Sequence, residues 1–471
     1  MNKVIKLLLK CALVSLPIWG LSIYLATATK QYSNEEVAYL TWNREQTSKK
    51  QDKYYSVIAI GDSACNACYM PEVMSDSMIN LSVLGISPVE GYYILEDYLY
   101  NNEAPTDVFM TYNDTHFHYM ELFWDEVVAS HRFDLVTNFK IIKDAGSEVT
   151  EGRGTVGSIA DLVAYETYFP SKYMASFMNS WEEDRASINE SAYSKISLHK
   201  GRYTCVGNEE FITGRFRDYD GFYAKDIYVD YLDKAIKLCQ DRGINVHLIK
   251  APLPDNSNMS EEYINQINDF YGSFVDRYDN VTYDWPVQMY SGADFWDEVH
   301  LNNDGAYKFS CLIRNHFPEV FGDIDYTASM MDAIDDTIAM EIEAEDIFGY
   351  TKDRDYTLLL YDGRDCIDDC RGSLASVNNM KIYPMDDQGL PDNYESLMYY
   401  CYSDAAHVPD IEVTANDMGA YVSVDGGEQS MWQFHERAGI VAVVIDNVNK
   451  RIVTVKNIEY LGAEGFARYI F

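Results

Sequence analysis

Three residues of this chain have the types and spacing of a nucleophile with its base. Ser63 ends the run Ser56-Val57-Ile58-Ala59-Ile60-Gly61-Asp62-Ser63. Asp297 and His300 stand three apart in Phe295-Trp296-Asp297-Glu298-Val299-His300-Leu301-Asn302. A serine hydroxyl needs a base to take its proton, and an imidazole base needs an acceptor that fixes its tautomer. Together these side chains can move an acyl group between oxygens through an acyl-serine. Gly-Asp-Ser by itself also fits a plain turn; the downstream Asp-x-x-His makes the pair specific.

The elements that must position them follow from the pattern. Tyr55 to Ile60 is apolar or neutral and partly β-branched, which suits a buried parallel strand. Gly61 permits a sharp turn, and Asp62 or Ser63 can cap a following helix. A serine there sits at the strand end where open α/β sheets bind ligands, and backbone N–H groups can meet a developing oxyanion. A second strand is expected over Ser77 to Val83, then a helix Pro88 to Leu99 with Pro88 near N1, then a strand Asp107 to Tyr112. Residues 115–225 interrupt the alternation with helical stretches such as Glu121 to Ser130 and Ile159 to Tyr168, and the aromatic segment Phe211 to Tyr223. This insertion is either a lid or docking surface, or a packing elaboration. A helix Asp226 to Asp241, a strand Ile244 to Lys250, a helix Glu261 to Tyr278, a strand Val281 to Trp285 and a helix Asp304 to Asn315 follow. Five strands with helices between them predict an α/β, flavodoxin-like, doubly wound parallel sheet with a large insertion.

The strand-Gly-Asp-Ser near the start and the Asp-x-x-His near the end resemble the SGNH hydrolase superfamily of Gly-Asp-Ser esterases and acyltransferases. The resemblance implies a triad of Ser63, Asp297 and His300. It also implies an oxyanion hole from the N–H groups of Ser63 and Gly85 and the side chain of Asn113. Asn113-Asp114 follows the third strand; Thr111 stands where that family has glycine. The stretch from Asn80-Leu81-Ser82 through Pro88-x-Glu90-Gly91-Tyr92-Tyr93 is similar to membrane-anchored members that acylate bacterial surface polymers, the alginate-acetylation and teichoic-acid D-alanylation proteins among them. That implies O-acetyl or similar transfer to a surface or exported polysaccharide, no cofactor, and a multispanning membrane acyltransferase as donor partner. The same triad serves a carbohydrate esterase. Thr111, the insertion and the C-terminal region also leave a non-catalytic surface binding or assembly protein open.

With 75 acidic against 37 basic residues the net charge is −38, which argues against nucleic acid or anionic lipid as partners. Thirty-nine tyrosines and seven tryptophans fit sugar-facing surfaces, or simply large cores. Lys3, Lys6 and Lys10 precede a charge-free run, Cys11 to Ala28, of about the ~20 residues that span a bilayer. An uncleaved single-pass anchor over 1–30, with the bulk of the chain extracytoplasmic, is expected. The rival is a signal peptide cleaved near Ala26-Thr27-Ala28. A polar stalk or connecting helix (31–53), a catalytic domain (54–322), an acidic connector (323–350) and a β-rich domain (351–471) complete the expected order. Strands are expected over Tyr356 to Tyr361, Ile411 to Ala415, Ala420 to Val424, Gly439 to Asp446 and Arg451 to Lys456. Tyr356 to Asp365, Arg437 to Asp446 and Arg451-Ile452-Val453 resemble the interleukin-like ILEI domain; a structural cap is an equal reading. Of nine cysteines, Cys65 and Cys68 read as small residues on a helix, and Cys366 and Cys370 either pair or pack. His116-x-His118 lacks the further ligands of a metal site.

Overall fold

The computed structural model describes residues 3–28, 35–120, 122–150, 154–179, 181, 185–206, 218–324, 326–344, 356–362, 380–383, 396–401, 411–416, 419–424, 428–433, 438–460 and 466–470. The chain divides into two compact units, Met1–Ala333 and Ile334–Phe471.

In chain order the first unit has α1 (Lys3–Thr27), α2 (Glu35–Thr47), β1 (Val57–Gly61), α3 (Ser63–Cys68), β2 (Met78–Asn80), α4 (Pro88–Asn101) and β3 (Asp107–Thr111). The insertion contributes α5 (Leu135–Ala145), α6 (Gly154–Glu166), α7 (Met174–Asn179) and α8 (Arg185–Leu198). Then come α9 (Asp226–Gln240), β4 (Asn245–Ile249), α10 (Glu261–Val275), β5 (Val281–Trp285), α11 (Asn303–His316) and α12 (Ala328–Ala344), the last straddling the division between the units.

The five strands form one parallel sheet in the order β2-β1-β3-β4-β5. This is the doubly wound order expected, and its switch point lies between β1 and β3. All five residues of β1 and of β3 are buried, as an inner parallel strand requires. Gly61 is needed there: a Cβ would lie 1.7 Å from the Thr111 carbonyl oxygen on β3. Helix α4 opens with a full capping box, Ser87 with Glu90, and Pro88 in its first turn.

Three expectations are revised. The N-terminal apolar run does form a helix, α1, but among the described residues no helix is long and apolar enough to cross a membrane. Part of α1 faces protein instead: Ser22 and Leu25 are buried, Ser22 Oγ donates to the Tyr168 carbonyl, and Trp19 packs edge-on against Phe169. The segment read as a stalk contains α2, which belongs to the core, with Ala38, Tyr39, Leu40 and Trp42 buried. Its buried Asn43 and Thr47 both accept from Arg132 of the insertion. Within the insertion, the helical stretch expected over Glu121 to Ser130 narrows to a π-helical turn, Phe123–Val128, and Glu121 lies outside the described residues. Most of Phe211 to Tyr223 lies outside the described residues.

In the second unit the described strands are β6 (Tyr356–Asp362), β7 (Met380–Tyr383), β8 (Ser396–Cys401), β9 (Ile411–Asn416), β10 (Gly419–Val424), β11 (Glu428–Gln433), β12 (Ala438–Asp446), β13 (Arg451–Tyr460) and β14 (Phe466–Ile470). They make an antiparallel sheet β7-β8-β6-β12-β13-β14 and a smaller one, β9-β10-β11. Strands β7, β8, β11 and β14 were not expected from sequence. Cys366 and Cys370 lie outside the described residues.

Candidate active site

Asp62 builds the turn that presents Ser63. It is fully buried, N-caps α3, and its Oδ1 accepts from the N–H groups of Ala64 (2.9 Å) and Cys65 (3.4 Å). Its Oδ2 accepts from the Asn113 N–H at 2.5 Å. One carboxylate thus ties the loop after β1 to the loop after β3, across the switch point. Ser63 is the first residue of α3 and is partly exposed.

The second arm comes from the loop before α11. Asp297 Oδ1 accepts from the N–H groups of Val299 (2.9 Å) and His300 (2.8 Å), which is what a three-residue spacing permits. Its Oδ2 lies 2.7 Å from His300 Nδ1, and His300 Nε2 lies 2.7 Å from Ser63 Oγ. Because the carboxylate accepts, Nδ1 carries the proton and Nε2 is left as acceptor for the serine hydroxyl. Burial opposes the Asp297 charge, but the hydrogen bond and charge of His300, with the two backbone donors, outweigh it and hold the carboxyl below its ordinary range. Ser63, Asp297 and His300 therefore stand in one hydrogen-bonded line.

The loop is held at both ends. Trp296 N–H donates to the His300 carbonyl, and Asn302 caps α11 through Gly305 N–H while its amide reaches the Ala293 carbonyl. A Cβ at Gly305 would lie 2.1 Å from the Asp294 carbonyl oxygen, so glycine is required for this approach.

Gly85 follows β2 in the left-handed region, φ +66°, a conformation that favours glycine. Val83 N–H donates to the Gly61 carbonyl, which places this loop beside the nucleophile turn. Asn113 Oδ1 accepts from both Thr115 N–H (3.1 Å) and Thr115 Oγ (3.0 Å). A backbone N–H can only donate, so the oxygen faces Thr115 and Nδ2 is turned the other way. Among the described residues, Ser63 N–H, Gly85 N–H and Asn113 Nδ2 donate no hydrogen bond. Thr111 is wholly buried, its hydroxyl 3.0 Å from that of Tyr69. It fills core space below the site and leaves the Asn113 turn intact.

Sequence reading missed the segment His199–Cys205, which clamps both arms. Asn66 of α3 donates to the Ser82 and Gly201 carbonyls and accepts from Tyr203 N–H. Arg202, fully buried, donates to Glu72 and to Asn303 at the start of α11, and Asn303 N–H donates to the Cys205 carbonyl. His199 also meets Glu72, at 3.1 Å. Burial opposes the Glu72 charge, but His199 and Arg202 keep its carboxyl below the ordinary range. Nothing in the local pattern marks these residues; only their distance in sequence from Asn66 and Asn303 hides the link.

Cys65 and Cys68 are buried and unbridged, and burial pushes both thiols up. That makes them packing residues, with Ser82 Oγ donating to the Cys65 sulfur. His116 and His118 face different partners: His116 Nε2 lies 3.7 Å from Asp62 Oδ2, while His118 stacks on Tyr223 at 4.1 Å. Among the described residues no group of three or more His, Cys, Asp or Glu could hold a metal ion.

No protein-family model matches this chain, and no curated protein matches it either.

Proposed function

We propose that this protein is a serine acyltransferase of the SGNH type, acting outside the cytoplasm on a surface or exported polysaccharide. The observation that carries the catalytic part is the line Asp297–His300–Ser63, with 2.7 Å at each step. His300 Nε2 takes the Ser63 proton as Oγ attacks an ester or thioester carbonyl. The resulting oxyanion meets the N–H groups of Ser63 and Gly85 and the Asn113 amide, donors with no other described partner. His300 then returns the proton to the departing alcohol or thiol, leaving an acyl-Ser63. A sugar hydroxyl attacks that ester as His300 takes its proton, and Ser63 leaves with the proton restored.

The acceptor assignment rests on the resemblance, on Trp296, which is 39% exposed beside the His300 ring, and on the α1 segment. Leu13, Val14, Leu16, Ile18 and Leu21 of α1 are exposed, which supports attachment to a membrane; a multispanning acyltransferase as donor rests on the resemblance alone. The test supplies purified protein with an activated acyl ester, with and without polysaccharide. Ester on the polymer, lost in Ser63→Ala, is the expected result. Ester hydrolysis alone makes the protein an esterase, and no turnover of any ester removes the enzymatic reading.

A further inference from the structure

Away from the triad, a cavity of about 680 Å³ opens at the C-terminal end of α1, lined by Tyr24, Arg44, Lys49, Ser130, His131 and Tyr168 among others. That volume is in the range that holds a small molecule or a head group. Among the described residues, the Arg44 guanidinium and the Lys49 ammonium donate no hydrogen bond and make no ion pair. Both side chains are exposed, at the rim of the cavity. Glu45 also borders it, but its carboxylate accepts from the Tyr193 hydroxyl. Burial and the Arg44 charge push His131 down to about 4, so its ring is neutral at pH 7.

The wall of the cavity is strained. His131 and Tyr168 each have φ +53°, two of the four non-glycine residues with positive φ among those described, and their rings pack 4.4 Å apart. Such backbone cost persists where surrounding structure holds a site in shape, and it clusters at ligand clamps. Tyr168 is tied to α1 through Ser22, and His131 to the Tyr173 hydroxyl at 2.8 Å.

The position favours a lipid. Exposed apolar side chains occur on α1 from Ile5 onward, and beyond the exposed Lys6 and Lys10 the charge-free stretch runs from Leu13 to Tyr24, a rise of roughly 16 Å, close to one leaflet's hydrocarbon depth of about 15 Å. Phe169, Met174, Met178 and Trp181 of the insertion are also exposed, and α7 packs on α1. Tyr24 closes that stretch and lines the cavity, which sets the cavity at the depth of head-group phosphates when the stretch is immersed. We propose that this cavity holds the phosphate of an anionic phospholipid, with Arg44 and Lys49 as its donors. An arginine fork and an ammonium suit a phosphate diester whose charge no choline cation already neutralises. The overall negative charge opposes attraction to an anionic surface as a whole, so recognition is of a single head group in a built cavity.

The proposal rests on the membrane attachment given above, and flotation of the full chain separates the two. At about 0.15 M ionic strength, where the Debye length is about 8 Å, the parent should float with phosphatidylcholine vesicles and bind more tightly when some phosphatidylglycerol is added. R44Q/K49Q should float equally with phosphatidylcholine, melt like the parent, and lose the gain, about five-fold for each charge removed. Equal gain in parent and variant, or no gain in the parent, overturns the cavity assignment while attachment stands. If neither protein floats with any vesicle, attachment fails and the lipid assignment goes with it. A melting shift with millimolar inorganic phosphate, present in the parent, absent in R44Q/K49Q and unaccompanied by a lipid gain, assigns the cavity to a soluble phosphate instead and overturns the lipid.

Discussion

Replacing Asp297 by asparagine separates the geometry of the proposed triad from its chemistry. The side chain has the same size, and a carbonyl oxygen can still accept from Val299 and His300 N–H, so the loop keeps both backbone bonds. The atom facing His300 Nδ1 becomes an NH₂ group, which can only donate. Nδ1 must then lose its proton, Nε2 must gain it, and the atom 2.7 Å from Ser63 Oγ becomes a donor instead of a base. Triads that lose the orienting carboxylate in this way lose about 10⁴-fold in kcat, equivalent to about 5 kcal/mol of transition-state stabilisation. The assay is the hydrolysis or transfer of an activated acyl ester, read as kcat/KM, beside a thermal melt. An unchanged melt with about 10⁴-fold lower turnover is expected. Turnover within ten-fold of the parent would mean that Asp297 does not set the His300 tautomer, and the catalytic line would be a structural hydrogen-bond chain.

Three further outcomes follow from the same geometry. Asn113→Asp keeps an oxygen for Thr115 but puts a carboxylate where Nδ2 stood, so turnover should fall by at least about 10²–10³-fold at an unchanged melting temperature; near-parental turnover removes Asn113 from the oxyanion hole. Gly61→Ala drives a Cβ into the Thr111 carbonyl between two central strands, and should cost about 1–3 kcal/mol or prevent folding; a parental melt contradicts this. Burial pushes the Glu90 carboxyl up to about 7 from 4.5, against the hydrogen bonds from Ser87 that favour its charge. The folded state then holds a proton that the unfolded state has released, so stability should fall by about 3 kcal/mol as pH rises from about 4.5 through 7. Glu90→Gln, which can still accept from Ser87 N–H, should flatten that part of the stability–pH profile; an unchanged slope assigns it elsewhere.

Much of the sheet is legible because buried parallel strands are written as short apolar runs between turn signals. Val281–Trp285 falls on the expected residues, and β1, β3 and β4 fall within a residue or two. The hydrogen-bonded line of Ser63, His300 and Asp297 was legible through residue type and spacing, since the Asp297 turn and its contact with His300 both follow from a three-residue interval. What was not legible depends on contacts distant in sequence. α2 looks polar along its length, yet Trp42 and Tyr39 are buried because the insertion folds back over them, with Arg132 reaching Asn43 and Thr47. The Glu72–Arg202–Asn303 link joins three distant segments, and no local periodicity encodes it. In the second unit, β7, β8, β11 and β14 contain Tyr, Met, Lys and Gln in place of clean alternation, and only pairing with a neighbour makes them strands.

The central claim is that Ser63 is a nucleophile made reactive by His300. Its most direct measurement is intact-protein and peptide mass spectrometry after brief exposure to an activated acyl ester, with a serine-directed fluorophosphonate in parallel. Both reagents should modify Ser63 in the parent, neither should modify Ser63→Ala, and labelling of His300→Ala should be slowed by several orders of magnitude. If Ser63 of the folded parent stays unmodified by both reagents, or is labelled as fast in His300→Ala as in the parent, the line of hydrogen bonds is no catalytic triad.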